Sequence, residues 1–266
     1  MGITRRDVIG RTLGMAAAAA GASAQDQAGP SARDEGQRTF LRLLKANGEA
    51  VNRMAQQPGA NRDALPRPGR GGDLAALVAA YCAPESSLYR SAELIPRMER
   101  SVQGLLDALH PEGLLDAGNL SSPPDTGFVV EATAASLDVA RRSQDPRLAG
   151  MQESLGRFLR RVGDALVTGG IHTPNHRWVI CAALARIHSL FPDARYVQRI
   201  DDWLGEGIYQ DEDGLFPERS PNYARVEVNC FVTLARLLNR PALLDPVRKY
   251  LKANLYLLQP DGEWKP

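Results

Sequence analysis

Two of the chain's four histidines, an asparagine, an arginine and a tryptophan stand within seven residues, His172 to Trp178, in the stretch IHTPNHRW. Imidazole is the side chain best placed to move protons near neutral pH, and a neighbouring asparagine amide donates hydrogen bonds without adding charge. A second stretch, ERSPNYAR, repeats the order hydroxyl residue, Pro, Asn, with Tyr223 where the first has His176. A base and an acid in equivalent places are the means of general acid–base chemistry. Around them His172, Arg177, Glu218, Arg219 and Asn222 offer groups for binding an anionic or hydroxylated ligand. A third stretch, SSPPDTGF, puts Asp125 in the place of Asn175 and Asn222. Asp211-Glu212-Asp213-Gly214 lacks the further ligand positions of a calcium loop and reads as a turn. The sequence gives no case for a metal or an organic cofactor.

Each of the three stretches opens a run that is apolar on most sides: FVVEATAASLDVA, WVICAALARIHSLF and VEVNCFVTLARLL. A helix of that kind lies inside a fold. Between these runs come helices with a single apolar stripe, as in Leu88, Ala92, Ile95, Met98, Val102, Leu105, Leu106 and Leu109, or Leu148, Met151, Leu155, Phe158, Leu159, Val162 and Leu166. The aligned residues Asp125, Asn175 and Asn222 are 50 and 47 residues apart, each downstream of a glycine turn at Glu112-Gly113, Gly169-Gly170 or Asp213-Gly214. A period of two helices per unit implies a repeat architecture. The expectation is an all-α fold, an (α/α) toroid of helical hairpins over residues 73–266, with an open solenoid as its competitor. Asp261-Gly262, 48 residues after Asp213-Gly214, fits as the next glycine turn, so the ring is expected to be incomplete, truncated inside a repeat. Converging N-termini of inner helices present free N–H groups and favour anions. The same Asp and Asn positions also suit helix N-caps, a purely structural role. His188 reads as a core histidine, His110 as a partner of a helix C-terminus, and Trp178 and Trp203 as core.

The 266 residues carry a formal net charge of +1, which argues against a nucleic-acid partner, and no segment is apolar enough for stable membrane insertion. Residues 25–72 read as a flexible N-terminal arm, with residues 25–40 mobile, followed by a first helical segment and an irregular stretch at 56–72. The three cysteines, Cys82, Cys181 and Cys230, have no zinc-like spacing and read as small buried hydrophobes, with a Cys181–Cys230 bridge left open. At the N-terminus, Arg5-Arg6, an alanine-rich stretch and Ala22-Ser23-Ala24 resemble a bacterial twin-arginine export signal over residues 1–24. That resemblance implies the twin-arginine (Tat) machinery as a partner and a periplasmic or secreted protein.

On Asn175-His176 and on Tyr223 in ERSPNY, framed by the helical repeat, the chain resembles the toroid-fold polysaccharide lyases of the heparinase II/III-like and alginate-lyase-like group. The resemblance implies a uronic-acid polysaccharide or oligosaccharide as substrate, cleaved by β-elimination. Asn175 would neutralise the uronate carboxylate, His176 or Tyr223 would take the C5 proton, and Tyr223 would protonate the departing glycosidic oxygen. Arg177 or Arg219 would hold a neighbouring acidic group. It also implies a C-terminal β-sheet domain, which this sequence does not include. Two alternatives stay open from the residues themselves. One is a glycoside hydrolase on the same ring, such as an unsaturated glucuronyl hydrolase using carboxylates such as Asp125 and Glu218. The other is a non-enzymatic periplasmic helical-repeat protein that binds glycans or proteins.

Overall fold

In a computed structural model the chain is described over residues 30–56, 70–116 and 121–263. The export-signal resemblance and its cleavage site lie outside the described residues, as do positions 25–29 of the expected arm. All regular structure among the described residues is helical. The helices are α1 (Pro30–Gln56), α2 (Arg70–Cys82), α3 (Leu94–Asp107), α4 (Pro123–Arg142), α5 (Ala149–Thr168), α6 (Pro174–Leu190), α7 (Ala194–Gly205), α8 (Pro221–Leu237) and α9 (Asp245–Leu257), with short 3₁₀ turns at Pro146–Leu148 and Pro241–Leu244. None of them is long and apolar enough to cross a membrane. The chain divides into two compact units, one up to Arg161 and one from Val162 onward.

In the first unit α2 is the central helix, packed against α1, α3 and α4. Its start lies beside the middle of α4, where a Cβ on Gly71 would stand 3.2 Å from the Val129 carbonyl oxygen. Its end lies beyond the end of α4, where the Tyr81 hydroxyl donates to Asp145 at 2.8 Å. The two apolar helices therefore run parallel. Asp145, 5% exposed, also accepts from the Arg147 backbone and guanidinium, which hold its carboxyl far below the usual range. Two expectations need correction here. Residues 30–40 are helical, not a mobile arm: α1 begins at Pro30, which suits a first helical position, and buries Leu44, Ala50 and Val51 on one face. The α3 helix starts at Leu94 rather than near Leu88, because residues 84–93 form turns, and its buried stripe is Leu94, Met98, Val102 and Leu105. Beyond its end, His110 sits in a turn with Nε2 3.1 Å from Asp116.

In the second unit α6 packs against α7 and α8. Arg186 donates to Thr233 at 3.0 Å, joining the thirteenth residue of α6 to the thirteenth of α8, so this apolar pair is also parallel. Trp178 and Phe231 pack at 4.8 Å between centroids, and Phe216 lies 6.0 Å from Phe231 and 5.3 Å from Tyr250. Trp203 is core as expected, 6% exposed. His188 is half-buried and satisfied, accepting the Asp193 backbone N–H at 3.1 Å. All three cysteines are free, so the Cys181–Cys230 bridge is absent. Cys82, at the end of α2, is half-buried rather than core. Within each unit a parallel apolar pair, α2/α4 or α6/α8, packs with the helix that lies between its members in sequence, α3 or α7.

Candidate functional site

Proline decides how the mouths of the inner helices fold. Pro123, Pro174 and Pro221 each take the first helical position, where the fixed φ is already helical and a missing N–H costs nothing. The residues before them, Ser122, Thr173 and Ser220, are the N-caps. The aligned Asp and Asn residues are therefore inside the helices, not caps: Asp125 is third in α4, and Asn175 and Asn222 are second in α6 and α8. Asp125 belongs to the first unit and supports the Ser122 cap there. The Ser122 hydroxyl donates to its carboxylate at 2.7 Å, and its own N–H faces Ser122 Oγ at 3.4 Å. Thr126 beside it is fully buried, tying the Leu115 N–H to the Ser122 carbonyl.

Asn175 behaves differently. Its side chain is 1% exposed, and Nδ2 faces both Glu218 carboxylate oxygens at 2.6 and 2.5 Å and Thr173 Oγ1 at 3.1 Å. The Asn175 backbone N–H points at the same carboxylate at 3.4 Å. Thr173 makes no side-chain cap bond, so the free end of α6 is met by a carboxylate from the loop that leads into α8. Charge at a helix N-terminus of this sign is stabilising. Glu218 is held in place by its turn: Phe216 is anchored in the aromatic cluster, and the Arg219 N–H closes on the Phe216 carbonyl at 3.0 Å, with Arg219 at φ 43°. The mouths of α6 and α8 thus meet in one place. The Asn175 Oδ1 atom is buried with no hydrogen-bond partner.

The other predicted residues surround this contact to different degrees. His176 is half-buried, its ring 5.8 Å from that of exposed His172 in an edge-on arrangement. Tyr223, third in α8, is 47% exposed, and Asn222 beside it is exposed. Arg177 is turned away toward α7, 3.3 Å from Glu206, with its guanidinium over the Trp178 ring. Arg219 pairs with Asp211 at 2.8 Å. The Asp211–Leu215 segment is a closed turn, as expected, with the Leu215 N–H on the Asp211 carboxylate at 2.8 Å. No group of three or more His, Cys, Asp or Glu residues suited to a metal ion occurs among the described residues.

One residue escaped the sequence reading. Glu227, two turns into α8, is 1% exposed and both carboxyl oxygens lack hydrogen-bond partners. Burial, and then the negative charge of Glu218, push its carboxyl up to about 8. It is therefore mostly protonated at neutral pH. Its signal was visible as the lone charge in VEVNCFVTL, where a charged residue on an inward face calls for a reason. Asn175 and Glu218 are thus in contact, the charge of Glu218 reaches Glu227, and His176 and Tyr223 stand at the mouths of the same two helices. No known protein family, curated protein or solved structure matches the chain.

Proposed function

We propose that this chain is an exported polysaccharide lyase that cleaves a uronic-acid glycan by β-elimination, its hairpins forming part of an (α/α) ring. The observation that carries the reading is the Asn175–Glu218 contact: a neutral buried amide and a helix N–H already hold a carboxylate. The same donors suit the carboxylate of a uronic acid, whose charge must be neutralised before C5 becomes acidic enough to lose a proton. His176 takes that proton. The C5–H electron pair becomes the C4–C5 double bond, the C4–O glycosidic bond breaks, and the Tyr223 hydroxyl gives its proton to the leaving oxygen. Export by the twin-arginine route would deliver the folded protein to the periplasm or beyond, where such glycans are met.

The test is ultraviolet absorbance on a panel of uronate polysaccharides, because only elimination leaves a conjugated double bond. A rising trace is expected, reduced about 10²–10⁴-fold in Tyr223→Phe. New reducing ends with a flat trace would overturn the reading. They would favour a second one, hydrolysis by the Glu218 and Glu227 carboxyls. That alternative rests on the contrast between a buried carboxyl raised to about 8 and its charged neighbour, the arrangement that separates an acid from a base.

A further inference from the structure

We infer that Glu218 is a built-in occupant of the carboxylate seat at Asn175, which a hydroxyl-bearing carboxylate such as a uronic acid displaces. This rests on the reading of Asn175 as the residue that receives the substrate's carboxylate. Three observations carry it. First, Glu218 makes with Asn175 the contacts expected of a bound carboxylate, with the amide nitrogen on both oxygens and the helix N–H on one. Second, Glu218 belongs to no helix: it lies in the turn before α8 and is only half-buried, so its side chain can leave without unwinding an element. Third, the resident leaves the amide half satisfied. Asn175 Oδ1 is buried and accepts no hydrogen bond, and an ionised carboxylate has no proton to give it. A uronic acid brings both an acceptor for Nδ2 and hydroxyl donors for Oδ1. The seat therefore discriminates: hydroxyl-bearing carboxylates gain a bond on replacing Glu218, and plain carboxylates do not. A buried acceptor left unpaired is costly, which gives the incoming ligand its advantage over the resident.

The experiment is calorimetric titration of the whole chain with sodium glucuronate and, separately, sodium acetate. It compares the wild type with Glu218→Ala and with the double variant Glu218→Ala/Asn175→Ala. Removing the resident should tighten glucuronate binding about tenfold, as for a seat open about a tenth of the time. The double variant should lose that gain, and acetate should bind more weakly than glucuronate in Glu218→Ala. Equal glucuronate affinity in the wild type and Glu218→Ala, both folded by circular dichroism, would overturn the inference. So would a gain that survives loss of Asn175. If Glu218→Ala does not fold, the Asn175 side-chain amide resonance of the wild type answers the question. It should move on adding glucuronate, and a resonance that stays fixed overturns the inference. The readout is binding, so the two readings fail separately. Absorbance that never rises, with tightened glucuronate binding in Glu218→Ala, removes the lyase and keeps the seat. Rising absorbance without that tightening does the reverse.

Discussion

Glu227 places a carboxyl inside α8 with neither oxygen hydrogen-bonded, and its titration has consequences for the whole second unit. The group is raised from 4.5 to about 8, so the native state keeps a proton that the unfolded chain releases. The contribution of this group is then full below about pH 4.5 and is lost as pH climbs toward 8, at up to about 1.4 kcal/mol per pH unit. Glu227→Gln keeps a neutral side chain of the same shape. Melting followed from about pH 5 to about pH 8 should show a falling midpoint in the wild type and a flatter one in the variant. Parallel curves would mean that Glu227 is not the titrating group. The opposite limb belongs to Asp145 and Asp211, both held below the usual carboxylate range by Arg147 and by backbone N–H donors respectively. Their contribution is present above that range and disappears as pH falls through it. Asn175 was singled out in the sequence by its company, His176 and the repeat. Glu227 was overlooked because a helix is recognised by its majority, and one acid does not alter the pattern.

Helix α5 was the most legible element. Its predicted stripe of Met151, Leu155, Phe158, Leu159, Val162 and Leu166 is buried, each residue at most 1% exposed. The starts of helices were less legible, for a physical reason. Where Pro precedes Asp or Asn, proline's preference for the first helical position outweighs the capping preference of the acid or amide. The cap therefore moves back to Ser or Thr. At α3, Pro96 falls in the first turn, where it is tolerated, and the chain before Leu94 turns instead of extending the helix. Within the second unit, Gly163 on α5 marks a close approach that no sequence pattern announced. A Cβ there would come within 2.5 Å of the Tyr196 hydroxyl oxygen and 3.2 Å of Ile187 Cγ2. Tyr196 is 3% exposed and has little room to withdraw. Gly163→Ala, usually favourable in a helix, should here lower stability by about 1–3 kcal/mol in urea unfolding. A gain in stability would mean that Tyr196 yields to the added methyl group.

The repeat itself is written most plainly in turns between helices. His110–Leu114, Asp211–Leu215 and Gln259–Glu263 close in the same way. The first N–H bonds the fifth carbonyl and the glycine N–H bonds the first, with Gly113, Gly214 and Gly262 at φ 88°, 97° and 83°. This is a type I turn followed by a left-handed residue. Gly169-Gly170, expected to be the fourth member, is different: neither glycine has a positive φ, and Gly169 bonds back to Leu166. Gly214 also lies under Lys249: a Cβ on it would stand 2.8 Å from Lys249 Cγ and 3.0 Å from the Lys249 carbonyl oxygen. Gly214→Ala should therefore cost about 2–3 kcal/mol, read as a lower urea midpoint. An unchanged midpoint would remove the turn's claim to be a fixed joint. Glycine spacing thus marked three of these turns and misjudged the fourth, Gly169-Gly170. The sequence did not reveal that Glu218 reaches Asn175, 43 residues away, because that depends on how two parallel helices set their mouths side by side.

Turns of this kind also bear on how the chain acquires its structure. A five-residue closure restricts little chain entropy, so each of these turns can form as soon as its residues have been synthesised. The consecutive helices that do pack, α2 with α3 and α6 with α7, give contacts short in sequence, the class of topology that folds fastest. The slower events should be the parallel pairings, α2 with α4 and α6 with α8, which must wait for the helix between them. The Asn175–Glu218 contact belongs to that later class. The candidate site is therefore completed among the last parts of its unit, after the hairpins that carry it have formed.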